Sequence, residues 1–151
     1  MRSRSCLTRR SGTTMVEAAI VLGVFLTLVV GMIDLGMAVF RSHLVTEAAR
    51  HGARQAIVHG ALASGLGSWG PATVGPIPLT DSNPLAQAVL PHLSSMDPAT
   101  VTVTAEWLDG SNERGKRVRV TVTGQSAPVL TSLFGTDPIP LSSTTIMHIC
   151  H

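Results

Sequence analysis

The sequence predicts an α+β fold, in which a long N-terminal transmembrane helix continues into a small domain with an antiparallel β-sheet. Three observations support it: a nearly unbroken apolar stretch at residues 18–40, a helical pattern that persists to His59, and alternating segments near the C-terminus. About 20 apolar residues in a helix cross the ~30 Å hydrocarbon core of a bilayer. The apolar stretch is therefore long enough to span a membrane.

Basic residues ahead of the apolar stretch predict its orientation. Four of them precede it: Arg2, Arg4, Arg9 and Arg10. Because basic flanks stay in the cytoplasm, we expect a single-pass protein of the inner membrane with its C-terminal domain in the periplasm or outside the cell. The predicted parts are a basic cytoplasmic leader at 1–12, a transmembrane and juxtamembrane helix at 13–59, a Gly/Pro-rich linker at 60–82 and a small extracytoplasmic α+β domain at 83–151.

Composition agrees with an anchored domain and argues against some partners. Charged residues make up 13% of the chain, about half of the ~25% usual in soluble domains. Beyond residue 12, seven Lys and Arg stand against nine Asp and Glu, so the exported part lacks the basic face of a nucleic-acid-binding protein. Cys6 and Cys150 fall on opposite sides of the membrane in this topology, so we expect no disulfide between them.

The N-terminus admits three interpretations. A cleavable secretory signal has an apolar region of about 7–15 residues before a small-residue cleavage site, whereas this apolar stretch is longer and its small-residue candidate near Gly36 follows Asp34. A lipoprotein signal needs a cysteine after the apolar segment, but Cys6 precedes it. The third interpretation is processing after Gly12, which ends the basic leader five residues before Glu17.

Glu17 is the unusual residue of this third interpretation. A carboxylate is costly inside a membrane helix and is usually paired. We expect Glu17 in the first helical turn, where the N-terminal dipole partly offsets that cost. A cut after Gly12 would also create an amino terminus to pair with it.

This arrangement resembles the prepilin-peptidase site of type IV pilins and pseudopilins, in which the cut follows the glycine and the glutamate helps subunits register. Further segments, VEAAIVL at 16–22, GMIDLG at 31–36 and EAARHGAR at 47–54, resemble the TadE-type minor pseudopilins of the tight-adherence (Flp) pilus system. The resemblance covers roughly residues 9–58. Ala18 and Gly23 depart from it, since an aromatic residue and a proline are common at those positions.

The resemblance implies a pseudopilin that takes part in assembling a Tad/Flp-type adhesive pilus by helix packing in the membrane and by extracytoplasmic contacts. Its implied partners are the inner membrane, other pseudopilins and pilus assembly proteins, and the prepilin peptidase, with no nucleic acid and no small-molecule substrate. The implied processing residues are Gly12 and Thr13, and the implied assembly residues are Glu17, Asp34, Arg50, Gly52 and Arg54. The alternative function is a single-pass membrane-anchored extracytoplasmic binding module unrelated to pili.

Two features of the helix leave alternatives open. Asp34 is either a partner contact or a residue already at the outer membrane interface. Beyond the membrane, small and apolar residues recur at three- and four-residue intervals: Leu44, Val45, Ala48, Ala49, Gly52, Ala53, Ala56 and Ile57. This stripe packs either against the rest of its own domain or against the helix of another subunit, as small residues permit.

The histidines and acidic residues do not predict a metal or catalytic site. His43, His51 and His59 are rotated by ~80° per step around a helix, so we expect them to be solvated. Glu106, Asp109, Glu113 and Asp137 are predicted to lie on exposed strands or turns, and no phosphate loop, CxxC or HExxH occurs. We therefore expect no enzyme, no cofactor and no metal.

The exported part is predicted element by element. Glycines and prolines at 60–80 indicate a loop or linker, and Pro84 opens a short helix that ends near Leu93. Residues 100–108 and 116–123 alternate around a turn and predict an antiparallel hairpin with one apolar face. Residues 126–134 are expected to lie near the membrane or to cap the sheet, and 141–149 to add a last strand.

Overall fold

A computed structural model of the chain describes residues 11–63, 65, 67–128, 135 and 137–150. The basic leader with Cys6, and most of the segment predicted to lie near the membrane or cap the sheet, fall outside the described residues. The described elements are helix α1 (Ser11–Val58), strand β1 (Val74–Pro78), helix α2 (Pro84–Val89), a 3₁₀ helix (Leu90–Leu93), and strands β2 (Thr102–Trp107), β3 (Arg117–Ser126) and β4 (Ile139–His148). The predicted α+β class is confirmed.

Helix α1 contains 48 residues, which at 1.5 Å per residue is about 72 Å. Its N-terminal half exposes large apolar side chains on every side, including Phe25, Met32 and Leu35. Within the described residues, α1 is the helix long and apolar enough to cross a membrane, by its length and composition. An apolar surface of this extent is covered in practice by lipid or by other helices.

The sheet has four antiparallel strands in the order β1-β2-β3-β4. The predicted hairpin is confirmed, with Val103 opposite Val122 and Ala105 opposite Val120. The predicted last strand is also confirmed, because β4 pairs with β3 along its whole length, from Arg117 opposite His148 to Ser126 opposite Ile139.

The sequence does not predict strand β1, because this strand lies inside the Gly/Pro-rich segment that indicates a linker at 60–82. It pairs with β2 at the edge of the sheet, and its register is irregular between Val74 and Ile77. Gly75 lies there with φ of +111°, and a Cβ on it would be 2.6 Å from the carbonyl oxygen of Val103. Proline and glycine are tolerated at sheet edges and bulges, so residues that indicate a loop here build a strand.

The core lies between the C-terminal half of α1 and one face of the sheet. Alanines 48, 49, 53 and 56 are fully buried there, as are the valines of β2 and β3. The small helix closes the core from the side, with Leu85, Ala86 and Val89 buried. Asn83 caps it by accepting a hydrogen bond from the Leu85 amide at 3.0 Å. Pro91 has no N–H to continue the α-helix, and the chain passes into the 3₁₀ helix at Leu90.

Candidate functional site

The predicted processing residues lie at the exposed start of α1. Gly12 and Thr13 are helical and exposed, and so is Glu17. The expectation that Glu17 occupies the first turn is wrong, because α1 begins at Ser11 and its first turn holds no acidic residue. The helix dipole acts mainly on the first turn, so it contributes little to the stability of this carboxylate in the described helix.

Asp34 is buried, with 8% of its surface exposed, although its neighbours Ile33 and Leu35 are 57% and 68% exposed. The carboxyl group therefore faces the inside of this chain and is not presented on the surface of α1. Both interpretations of Asp34, a partner contact in assembly and a position at the outer membrane interface, stay predictions.

Arg41 joins the apolar half of α1 to the sheet. Its guanidinium donates hydrogen bonds to the Ser126 hydroxyl at 2.9 Å and to the Ala127 carbonyl at 3.5 Å, and Ser126 is almost fully buried at the end of β3. Sequence reasoning did not select Arg41. The available signal was its position as the first basic residue after the apolar stretch.

The small-residue stripe packs within its own domain. Gly52 is buried, and a Cβ placed on it would be 3.0 Å from Cγ2 of Val89 and 3.2 Å from Cγ1 of Val120. The structure thus favours the first of the two predicted interpretations for residues 45–56. Gly52 is enclosed by α2 and β3, whereas Arg50 and Arg54 project from the exposed side of the same helix.

Two of the three helix histidines are half-buried against other rings, whereas the sequence predicted solvated side chains. The His51 ring lies 4.3 Å from the ring of His92 in the 3₁₀ helix. The His59 ring stacks on Trp69 at 4.0 Å, and its Nδ1 is 2.7 Å from the carbonyl oxygen of Gln55. His43 is exposed. The rotation of the helix correctly predicts that the three histidines do not share a face. It carries no information on the residues elsewhere in the chain that contact them in the folded domain.

A small apolar cavity of about 140 Å³ lies beside the sheet, between Trp69, Trp107 and the start of α2. Gly70 packs against the face of the Trp107 ring. The indole nitrogen of Trp107 is buried and has no hydrogen-bond partner among the described residues. Trp69 is held next to it by the hydrogen bond from its amide to the His59 carbonyl at 2.8 Å.

Two acidic residues of the β2–β3 hairpin, Asp109 and Glu106, form surface ion pairs. Asp109 accepts hydrogen bonds from the Arg117 amide at 2.9 Å and from its Nη2 at 2.7 Å, and these bonds lower the pKa of Asp109 to about 2. Glu106 pairs with Arg119 at 3.1 Å. Glu113 and Asp137 are exposed. Within the part of the chain that the structure describes, no group of three His, Cys, Asp or Glu residues is placed to hold a metal ion.

Comparison with known families finds a match in the long helix. The family profile described as TadE-like protein matches residues 12–54, so the resemblance predicted from the sequence is confirmed there. The match begins at Gly12, includes Glu17 and Asp34, and ends at Arg54. It covers under a third of the 151 residues and stops before the sheet. No curated protein and no solved structure matches the chain.

Proposed function

We propose that this chain, which is similar to TadE-like proteins along its membrane helix, is a pseudopilin-like subunit that takes part in assembly of a Tad/Flp-type adhesive pilus. The observation that carries the proposal is the coincidence of the family match, residues 12–54, with the helix that exposes apolar side chains around its N-terminal half. The chain would act through the packing of this helix against other subunits in the membrane.

The helix supplies the surface that such packing needs. Between residues 12 and 40 its ionisable residues are Glu17 and Asp34, and of these Glu17 is exposed while Asp34 is buried. A carboxylate in lipid is usually paired with a cation. We propose that Glu17 pairs with the free amino terminus of Thr13, created by cleavage after Gly12, in its own or a neighbouring subunit. Such a contact sets the axial register of two helices.

The proposed topology follows from the same helix. The leader stays in the cytoplasm, the prepilin peptidase removes it, and the sheet domain faces the periplasm or the exterior of the inner membrane. The arginines of the leader support this orientation, and Arg41 ties the sheet directly to the end of the apolar stretch. The domain therefore sits close to the membrane surface, where it meets the extracytoplasmic parts of neighbouring subunits.

Glu17→Ala tests the assembly role. We expect the variant to insert into the membrane as the parent does and to fail in piliation, which is scored by electron microscopy beside the amount of chain in the membrane fraction. Glu113→Ala is the matched control, since Glu113 is an exposed glutamate in the β2–β3 turn. Normal piliation in Glu17→Ala would contradict the assigned role and favour a membrane-anchored binding module.

Cleavage is tested separately by N-terminal sequencing of the chain purified from membranes. We expect a mature chain that begins at Thr13, and an uncut chain in Gly12→Leu. A mature chain that begins at Met1, or beyond Asp34, would contradict processing of the pseudopilin type.

A further inference from the structure

A charged cleft lies on the outer side of the domain, where α1 meets the 3₁₀ helix. It has a volume of about 250 Å³ and is lined by Glu47, Arg50, His51, Arg54 and His92. Four of these five side chains are cationic or become cationic on protonation. The face of α1 that carries them is separate from the buried stripe that packs on the sheet.

The charges in the cleft do not balance. Glu47 pairs with Arg50 at 2.9 Å, which leaves Arg54 without an ion pair or hydrogen bond to any described residue. Arg50 and Arg54 are four residues apart on one helix face, a spacing at which like charges destabilise a helix. With both histidines neutral, the cleft holds one positive charge in excess.

The histidine pair adds hydrogen-bonding capacity to this excess charge. The rings of His51 and His92 are 4.3 Å apart with their planes inclined by 41°. The Nδ1 atom of His51 is buried, so a ligand in the cleft does not reach it, and His92 is the imidazole that lies beside the two arginines. An anion is the ligand class that two guanidinium groups and an imidazole ring share, because all three can donate to oxygen.

The position of the cleft distinguishes a protein ligand from a lipid. Arg50 and Arg54 lie about 15 and 21 Å along the helix axis beyond Phe40, where the apolar stretch ends. The headgroup region extends only about 5–8 Å beyond the hydrocarbon on each side, so lipid phosphates do not reach the cleft. A single excess positive charge also suits one carboxylate better than a phosphate dianion, because Glu47 repels both anions and repels the dianion more strongly.

We propose that this cleft binds a carboxylate side chain of a neighbouring protein subunit. The inference rests on the proposed function, since it takes the neighbour to be a component of the same pilus assembly. It identifies Arg54 as the principal contact, and Arg50 and His92 as the groups beside it. The small-residue stripe then holds the domain together, while the charged side of the same helix segment recognises a partner.

The test is a titration of the full chain in lipid nanodiscs, in which binding is monitored by the NMR signals of the histidine rings. The probe is acetyl-Ala-Asp-Ala-amide, and its control is the Asn peptide of the same length. We expect the Asp peptide to shift the His51 and His92 signals in a saturable way, the Asn peptide to leave them unchanged, and inorganic phosphate to bind less tightly than the Asp peptide. Arg54→Gln should weaken binding of the Asp peptide about tenfold, the loss expected for one charge-assisted hydrogen bond.

Arg114→Gln is the matched control, since Arg114 is an exposed arginine in the β2–β3 turn, and it should bind as the parent does. An absent Asp-dependent shift, equal binding by Arg54→Gln, or tighter binding of phosphate would overturn the proposal. The titration needs no pilus, so it fails independently of the proposed function. If Glu17→Ala abolishes piliation while the titration is flat, the cleft proposal is wrong and the pseudopilin proposal stands.

Discussion

Replacing Gly70 by alanine should destabilise the domain strongly, because the structure opposes a side chain at this position in two ways. Gly70 has φ of +83°. A Cβ placed on it would lie 2.6 Å from Cδ2 of Trp107 and would also clash with Cε2 of the same ring. The left-handed backbone costs a non-glycine residue about 1–2 kcal/mol, and overpacking a well-packed site costs about 1–3 kcal/mol. The expected loss in the free energy of unfolding is therefore about 2–5 kcal/mol.

Gly115→Ala separates these two contributions. Gly115 has the same φ of +83°, but nothing lies within 4 Å of a Cβ placed on it, so its replacement should cost only the backbone penalty of about 1–2 kcal/mol. The assay is urea unfolding of the full chain in detergent micelles, monitored by tryptophan fluorescence. Trp69 and Trp107 both lie in the sheet domain, so the signal reports unfolding of that domain and not of the apolar helix.

The difference between the two variants measures the contact of Gly70 with Trp107. We expect Gly70→Ala to be less stable than Gly115→Ala by about 1–3 kcal/mol. Equal losses in the two variants would show that the segment carrying Trp69 and Gly70 does not pack on Trp107, and would refute this account of the cavity beside the sheet.

Three further predictions concern the core and the hairpin. Val120→Ala should lower the free energy of unfolding by about 2–3 kcal/mol, because Val120 is fully buried and truncating its side chain leaves a cavity. Ile146 is half-exposed on β4, so the control Ile146→Ala should lower the free energy of unfolding by less than about 1 kcal/mol in the same urea assay. Ala53→Leu should destabilise even a chain without partners, since Ala53 is buried in its own domain; an unchanged urea midpoint would assign the stripe to contacts between subunits. The lowered pKa of Asp109 means that its pairing with Arg117 stabilises the fold above the ordinary pKa of 3.8 and is lost as the pH falls towards about 2. Asp109→Asn should remove that part of the pH dependence of the urea midpoint, and parallel curves for parent and variant would contradict it.

Local sequence patterns sufficed for the helix and for the three longer strands. The apolar run, the alternation of Val118, Val120 and Val122, and the Asn83-Pro84 start of α2 each depend on neighbouring residues, and each was placed correctly. Strand β1 was missed, because its backbone pairing with β2 overrides the loop preference of Gly75 and Pro76. The partners of His51 and His59 were missed for a related reason, since both lie far away in the sequence.

The sequence by itself determined that this chain has a membrane-length helix, where a basic leader meets it, and which pilus family the helix resembles. Those properties are local, since hydrophobicity, charge order and short motifs act over a few turns of one helix. Only the tertiary structure decided which face of the juxtamembrane helix is buried in its own domain and which face stays exposed. Packing against the sheet buries Gly52 and the alanines, because small residues allow the helix to approach closely, and it leaves Arg50 and Arg54 beside His92 on the open side.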